Sequence, residues 1–240
     1  MTTFIDITNR ALRDINEVPM TTVQFTAARG VQQFTKDAVN RAYFDIANES
    51  LEWPWLGTSP VRVEGTDILT LTAGVQWYDQ SATALEVDWQ TFYLTDKDPS
   101  VITSSPADTS VSLKYITYEQ WARDYRDTDN QRTPDHRGQP EYVIRHPTTG
   151  KIGFSPVPDG DAVYVEYFVW KTATAFTLST DVLPFPEEFE NVLLNRVRYY
   201  MWLFRENIEQ AGFARHDYDT SLASMKRIML SNKSERMRAV

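Results

Sequence analysis

The chain contains no cysteine, which excludes disulfides, thiolate nucleophiles and cysteine-ligated zinc together. Three histidines leave little material for a histidine-based metal centre, and no metal or cofactor is expected. No apolar run reaches the roughly 18 residues of a membrane span. The opening MTTFIDITNR has neither a basic n-region nor an apolar h-region, so a chain neither membrane-spanning nor secreted by a cleaved signal is expected. Positive charge is scarce as well: Lys and Arg number 24 against 33 Asp and Glu, a net charge of −9. That balance argues against a broad basic face wrapping nucleic acid, but it does not oppose DNA that passes by without sticking. The G-x-S-x-G and H-E-x-x-H signatures are absent too, so no enzyme is expected.

What is present is an ordinary globular composition, 42% hydrophobic and 24% charged. Phe4, Ile7, Ala11, Leu12 and Ile15 fall at helical spacing behind a capping pair, Thr3 and Asp6, and the pattern stops before Pro19. A second helical period runs through Ala28, Val31, Ala38, Ala42, Tyr43 and Ile46 to Pro54, with Gly30 weakening its first turns. From Val61 the period becomes two, in VRVEG, DILTLTAG, LEVDWQTFYL and VSLKY, with Leu85, Val87 and Trp89 on one face. TSSPADTS reads as a connector, and EQWARDYRDTDNQRTPDHRGQP as a short helix and polar loop. PEYVIRHPTTGKIGFSPVPDGDAVYVEYFVWK reads as a three-stranded meander whose last strand is apolar on both faces, hence central or covered. Helix returns from Pro186, with a further helix expected over about Asp217 to Met229. The fold class predicted is α+β: a helical bundle formed by the N- and C-terminal helices, with an inserted antiparallel β domain, sandwich or barrel-like. The expected divisions are 1–57 and 181–230 for the bundle, 58–180 for the β domain, and 231–240 for a flexible basic tail.

DVLPFPEEFENVLLNRVRYYMWLFRENIEQ, residues 181–210, is apolar on more than one side. Phe189, Val192, Leu193, Tyr200, Leu203 and Phe204 form one stripe at 100° per residue, enough to seat a helix on its bundle. Leu194, Met201 and Ile208 form a second line at seven-residue spacing, and Trp202 projects from another angle. Either the helix lies in the middle of a large core, or a neighbouring subunit covers the second line. On the second reading Leu194, Met201, Trp202 and Ile208 are subunit-interface residues. Arg196 lies within the main stripe and needs a carboxylate or carbonyl partner if buried.

Other candidates have local explanations. TTGK at Thr148–Lys151 lacks the upstream glycine of a phosphate-binding loop and carries Ile152 where Ser or Thr should reach magnesium, so a turn is expected. His136 and His146 read as surface or loop residues. Asp159 with Asp161 flanks a hairpin glycine, and Glu187 with Glu188 occupies a helix first turn. Trp53 and Trp55 read as a helix end pinned to the core, against the alternative of a stacking platform. From Arg215 onward the chain turns basic, and Lys233, Arg236 and Arg238 stand on a stretch without apolar period, suited to an acidic partner.

Taken in order, ALRDINEVPM ending the first helix, EWPWL closing the second, and LPFPEEFENVLLNRVRYYMWLFREN followed by one more helix make the chain resemble the head-to-tail adaptors of short-tailed bacteriophages, the tail tubular protein A type. That family often has Gly where Asn16 stands here. The resemblance implies a virion structural protein in the neck or tail, made in the host cytoplasm, and forming a dodecameric ring between the portal protein and the tail nozzle protein. Tail fibres are a further partner it implies, and DNA passes through the channel without specific binding. A carbohydrate-binding module of a tail spike or surface protein, using Trp53, Trp55 or Trp89, is the alternative, and a hydrolase a second one.

Overall fold

The computed structural model describes residues 2–50, 52–57, 67–95, 111–130, 136–160 and 163–230. The chain divides into two compact units, Met1–Leu56 with Ala173–Val240, and Gly57–Thr172. Helices at both chain ends with sheets inserted between them make the fold α+β, as the change of hydrophobic period predicts.

The first unit is helical. Helix α1, Phe4–Asp14, opens with a capping box in which the Thr3 hydroxyl accepts from the Asp6 amide while the Asp6 carboxylate accepts from the Thr3 amide. It ends where Asn16 turns to φ 60°, with the amides of Asn16 and Glu17 donating to the carbonyls of Arg13 and Leu12. This is the left-handed stop that glycine usually supplies, and asparagine tolerates it. A short α2, Thr22–Thr26, follows, and α3 spans Val31–Asn48. Gly30 is not inside that helix but precedes it at φ 55°, so it starts α3 and does not weaken it. Two asparagines fasten the connections. Asn9 exchanges both amide hydrogen bonds with Met20, and Asn40 does the same with Phe176.

The C-terminal helices differ from the expected pattern. A 3-10 turn, Glu187–Phe189, leads into α6, Glu190–Phe204, which stops at Arg205, and α7 runs from Ile208 to Leu230. The single helix read across residues 181–210 is therefore two, and the last helix begins nine residues before Asp217. Glu206 at φ 57° makes the break, with its amide on Leu203 and the Asn207 amide on Trp202, the same stop that ends α1. No glycine or proline marks it in the sequence. A non-glycine residue in this conformation costs roughly 1–2 kcal/mol. Glu206→Gly is expected to raise stability by about 1 kcal/mol and Asn16→Gly by less, read from denaturant midpoints at unchanged slope.

Helix α6 contacts α1, α3 and α7. Salt links give the directions: Glu17 at the end of α1 meets Arg205 at the end of α6, and Lys226 near the end of α7 meets Glu49 at the end of α3. The ends of α1 and α6 thus lie with the starts of α3 and α7, an alternating up-and-down bundle. With neighbours on both sides, α6 buries Val192, Leu193 and Tyr200 of the first line together with Leu194 and Met201 of the second, and Phe4, Ile7, Leu12, Ile46, Leu193 and Met201 sit at the centre.

The second unit holds strands β1 Asp67–Leu71, β2 Trp77–Tyr78, β3 Ala84–Val87, β4 Tyr93–Thr95, β5 Val111–Ser112 and β6 Lys114–Ile116. After helices α4, Tyr118–Asp124, and α5, Arg126–Asn130, come β7 Tyr142–Arg145, β8 Ile152–Ser155, β9 Val163–Tyr167 and β10 Val169–Lys171. The described strands pair into three sheets, ordered β1-β9-β4-β5, β10-β3 and β2-β8-β7-β6. The stretch LEVDWQTFYL is not one strand, for it bends between Asp88 and Phe92; within β3 the register against β10 shifts at Leu85, which is 51% exposed while Val87 is buried. The expected meander holds only for β7 and β8. Strand β9 leaves to lie between β1 and β4, which accounts for its two apolar faces. Strand β6 pairs with β7 in parallel. VRVEG and TSSPADTS lie outside the described residues.

Candidate assembly surface

Where α1 and α6 stop side by side, the helical unit exposes a cluster of apolar side chains. Val18 is 73% exposed directly after Glu17, the partner of Arg205. Leu203 and Phe204, just before Arg205, are 42% and 47% exposed, and Ile208 just beyond it is 78% exposed. The chain holds these positions firmly. Gln32 on α3 donates to the Val18 carbonyl, Phe34 on α3 stacks on Phe204 with centroids 4.2 Å apart, and Asn207 caps the start of α7 through Gln210. Burying apolar side chains of this size releases roughly 1.5–3 kcal/mol each, so an exposed group of them is a candidate contact surface.

Deeper in the same bundle, the polar side chains set how the helices register. Arg196 donates to Asp45 at 2.6 Å, and Tyr200 donates to the same carboxylate. The Arg196 guanidinium also lies 5.0 Å from the Tyr199 and Tyr200 rings and 4.9 Å from that of Tyr218, joining α3, α6 and α7. The carboxylate partner that its place in the stripe demands is thus Asp45. Burial opposes its charge, and the bond to Asp45 outweighs this and raises its pKa. Burial likewise raises the pKa values of Tyr200 and Tyr218, and pushes that of Tyr43 up to about 12, so all three phenols stay neutral.

Of the interface candidates, Leu194 and Met201 are buried in the unit's own core, 5% and 0% exposed. This corrects the expectation that the bundle leaves their line open. Helix α7 folds straight back along α6 and covers it, whereas Leu203 and Phe204, assigned to the covered stripe, stand in the open. Trp202 is half-buried against the core and Ile208 is exposed, so only these two candidates reach the surface. Lys233, Arg236 and Arg238 lie outside the described residues.

Trp53 is fully buried, donates its indole N–H to the Ile46 carbonyl at 2.7 Å and stacks on Trp55, as a pinned helix end should. It is no platform. Trp89 is half-buried, stacked on Phe92 and 5.8 Å from Tyr115. TTGK is a turn, with the Gly150 amide on the His146 carbonyl and Gly150 at φ 70°. The His146 ring accepts from the Thr148 and Thr149 amides through Nδ1, a local turn role. Among the described residues no group of three His, Asp or Glu is placed to hold a metal, and no helix is long and apolar enough to cross a membrane.

Sequence reasoning missed two features. One is the exposed end itself, for which the sequence carries no glycine or proline signal at the Glu206 stop. The other is a groove of about 660 Å³ between α6 and the outer side of α7, floored by Phe189 and Val192 and edged by Glu188, Asn191, Asn195 and Asp217. No curated protein matches the chain. The family model described as SU10 adaptor protein matches residues 2–240, nearly the whole length, so the chain belongs to the SU10 adaptor protein family and is a structural adaptor of a bacteriophage.

Proposed function

We propose that the protein is a ring-forming head-to-tail adaptor, twelve copies of which join the portal protein to the tail nozzle protein in the virion neck after assembly in the host cytoplasm. The observation that carries this reading is the rigid apolar end of the bundle at Val18, Leu203, Phe204 and Ile208. A ring grows by joining unlike surfaces of successive subunits, and this apolar end can supply one of the two. Trp202 and Ile208 are assigned to the subunit interface. A net charge of −9 suits a channel through which DNA must slide, because attractive phosphate contacts would hold it. Tail fibres are a further partner at the outer rim. The basic residues Lys233, Arg236 and Arg238 are assigned to docking on the portal, an attraction that salt weakens.

The test is to mix the purified protein with its portal and examine the mixture by negative-stain imaging and sedimentation. The expected result is a ring of adaptors seated on the portal, lost when Phe204 and Ile208 are both changed to Asp in a protein that still melts as the parent does. A protein that sediments unchanged beside the portal at low and moderate salt would overturn the reading.

A further inference from the structure

The groove between α6 and α7 opens beside Ile228, two residues before α7 ends at Leu230. Because the two helices are antiparallel and joined by a short stop, Glu188 lies toward the Ile228 end of the groove and Asn195 opposite Asp217. Its rim is acidic and rich in amides and hydroxyls. Glu188 and Asp217 supply the charge, Asn191 offers an amide, and the Thr220 and Ser221 hydroxyls donate to backbone carbonyls, leaving their lone pairs outward. An acidic rim over an apolar floor of Phe189, Val192 and Ile228 can hold a basic peptide.

Ten residues follow Leu230, which ends α7 at the Ile228 mouth of the groove, and they carry Lys233, Arg236 and Arg238 against one acid, Glu235. Ser231 and Asn232 come first, residues that favour a reversal of the chain. Spacing agrees with charge. From Asp217 to Ile228 a helix rises about 16 Å, and from Lys233 to Arg238 an extended chain spans about 16 Å. A segment folded back along α7 sets Lys233 beside Glu188 and Arg238 beside Asp217. We infer that residues 231–240 dock in the α6–α7 groove of their own subunit before assembly, so that the basic segment is stored there and released to the portal. This rests on the portal-docking reading of the same segment, and it adds that portal and groove compete for it.

The absence of cysteine makes the test direct. In the full-length chain, Asn195→Cys with Arg238→Cys is oxidised at micromolar concentration, beside a control pair, Val23→Cys with Arg238→Cys, Val23 being 82% exposed on α2 and outside the groove lining. The expected result is a monomeric disulfide in the groove pair at least about fivefold over the control. It should fall severalfold in 0.5 M salt, where the screening length is only a few ångströms, and after Glu188→Lys with Asp217→Lys. Equal yields from both pairs would overturn the inference, as would crosslinked dimers, which assign the segment to a second copy. A separate pull-down with protein ending at Leu230 keeps the two readings apart. Lost portal binding without a groove disulfide leaves portal docking standing and removes the storage site; a groove disulfide with unchanged portal binding does the reverse.

Discussion

Met201→Glu is expected to unfold the helical unit, whereas Ile208→Glu is expected to leave it folded and to weaken assembly. Met201 is 0% exposed within the core shared by α1, α3, α6 and α7, so a glutamate there removes well-packed atoms and places an unpaired charge away from water. The first loss alone costs about 2–5 kcal/mol, and an uncompensated buried charge adds several more. The sum matches or exceeds the whole stability of a typical domain, about 5–15 kcal/mol. Ile208, 78% exposed beside the helix stop, loses almost nothing on the free subunit. In a ring it would carry a charge into an apolar contact, and self-association should fall about tenfold or more, roughly 1.4 kcal/mol or greater. Far-UV circular dichroism melts and sedimentation of both variants separate the cases. A folded Met201→Glu protein would return that residue to the interface.

The contrast between these two residues shows where sequence reading succeeds. Periodicity placed both on one line, because seven residues are nearly two helical turns. The line is continuous only if the helix is. At Glu206 the chain takes a conformation that carries no glycine or proline signature, and everything beyond it changes direction. Strong local signals suffice for the Thr3 and Asp6 box, the stop before Pro19, the PTTG turn, and the need of Arg196 for a partner. Each depends on neighbours within a few residues, or on a charge that burial leaves no alternative. The strand partners of β9, the bend after Val87 and the parallel β6–β7 pair depend on contacts distant in sequence, which alternation cannot specify. The exposed end was illegible for the same reason. Val18, Phe204 and Ile208 become neighbours only when two helices stop side by side.

Trp53→Ala is expected to destabilise the helical unit by about 3–5 kcal/mol, the usual cost of truncating a buried large aromatic. The side chain is fully buried, and it does more than fill space. Its ring stacks on Trp55 at 4.5 Å, which in turn packs against Phe185, so it fixes the chain leaving α3 against the segment that enters α6. Its N–H holds the Ile46 carbonyl in the last turn of α3, where Glu49 receives Lys226 from α7. Loosening this turn should therefore reach α7 through that ion pair, and Trp53→Phe, which keeps a ring but loses the donor, should cost less than half as much. Thermal and denaturant unfolding of the two variants measures the difference. The same protein tests the rival function. If Trp53 were a sugar platform, the alanine variant would fold normally and lose binding to glycans of the bacterial surface. A folded variant with that loss would replace the adaptor reading of this residue, and a marginally stable one confirms that its ring belongs to the core.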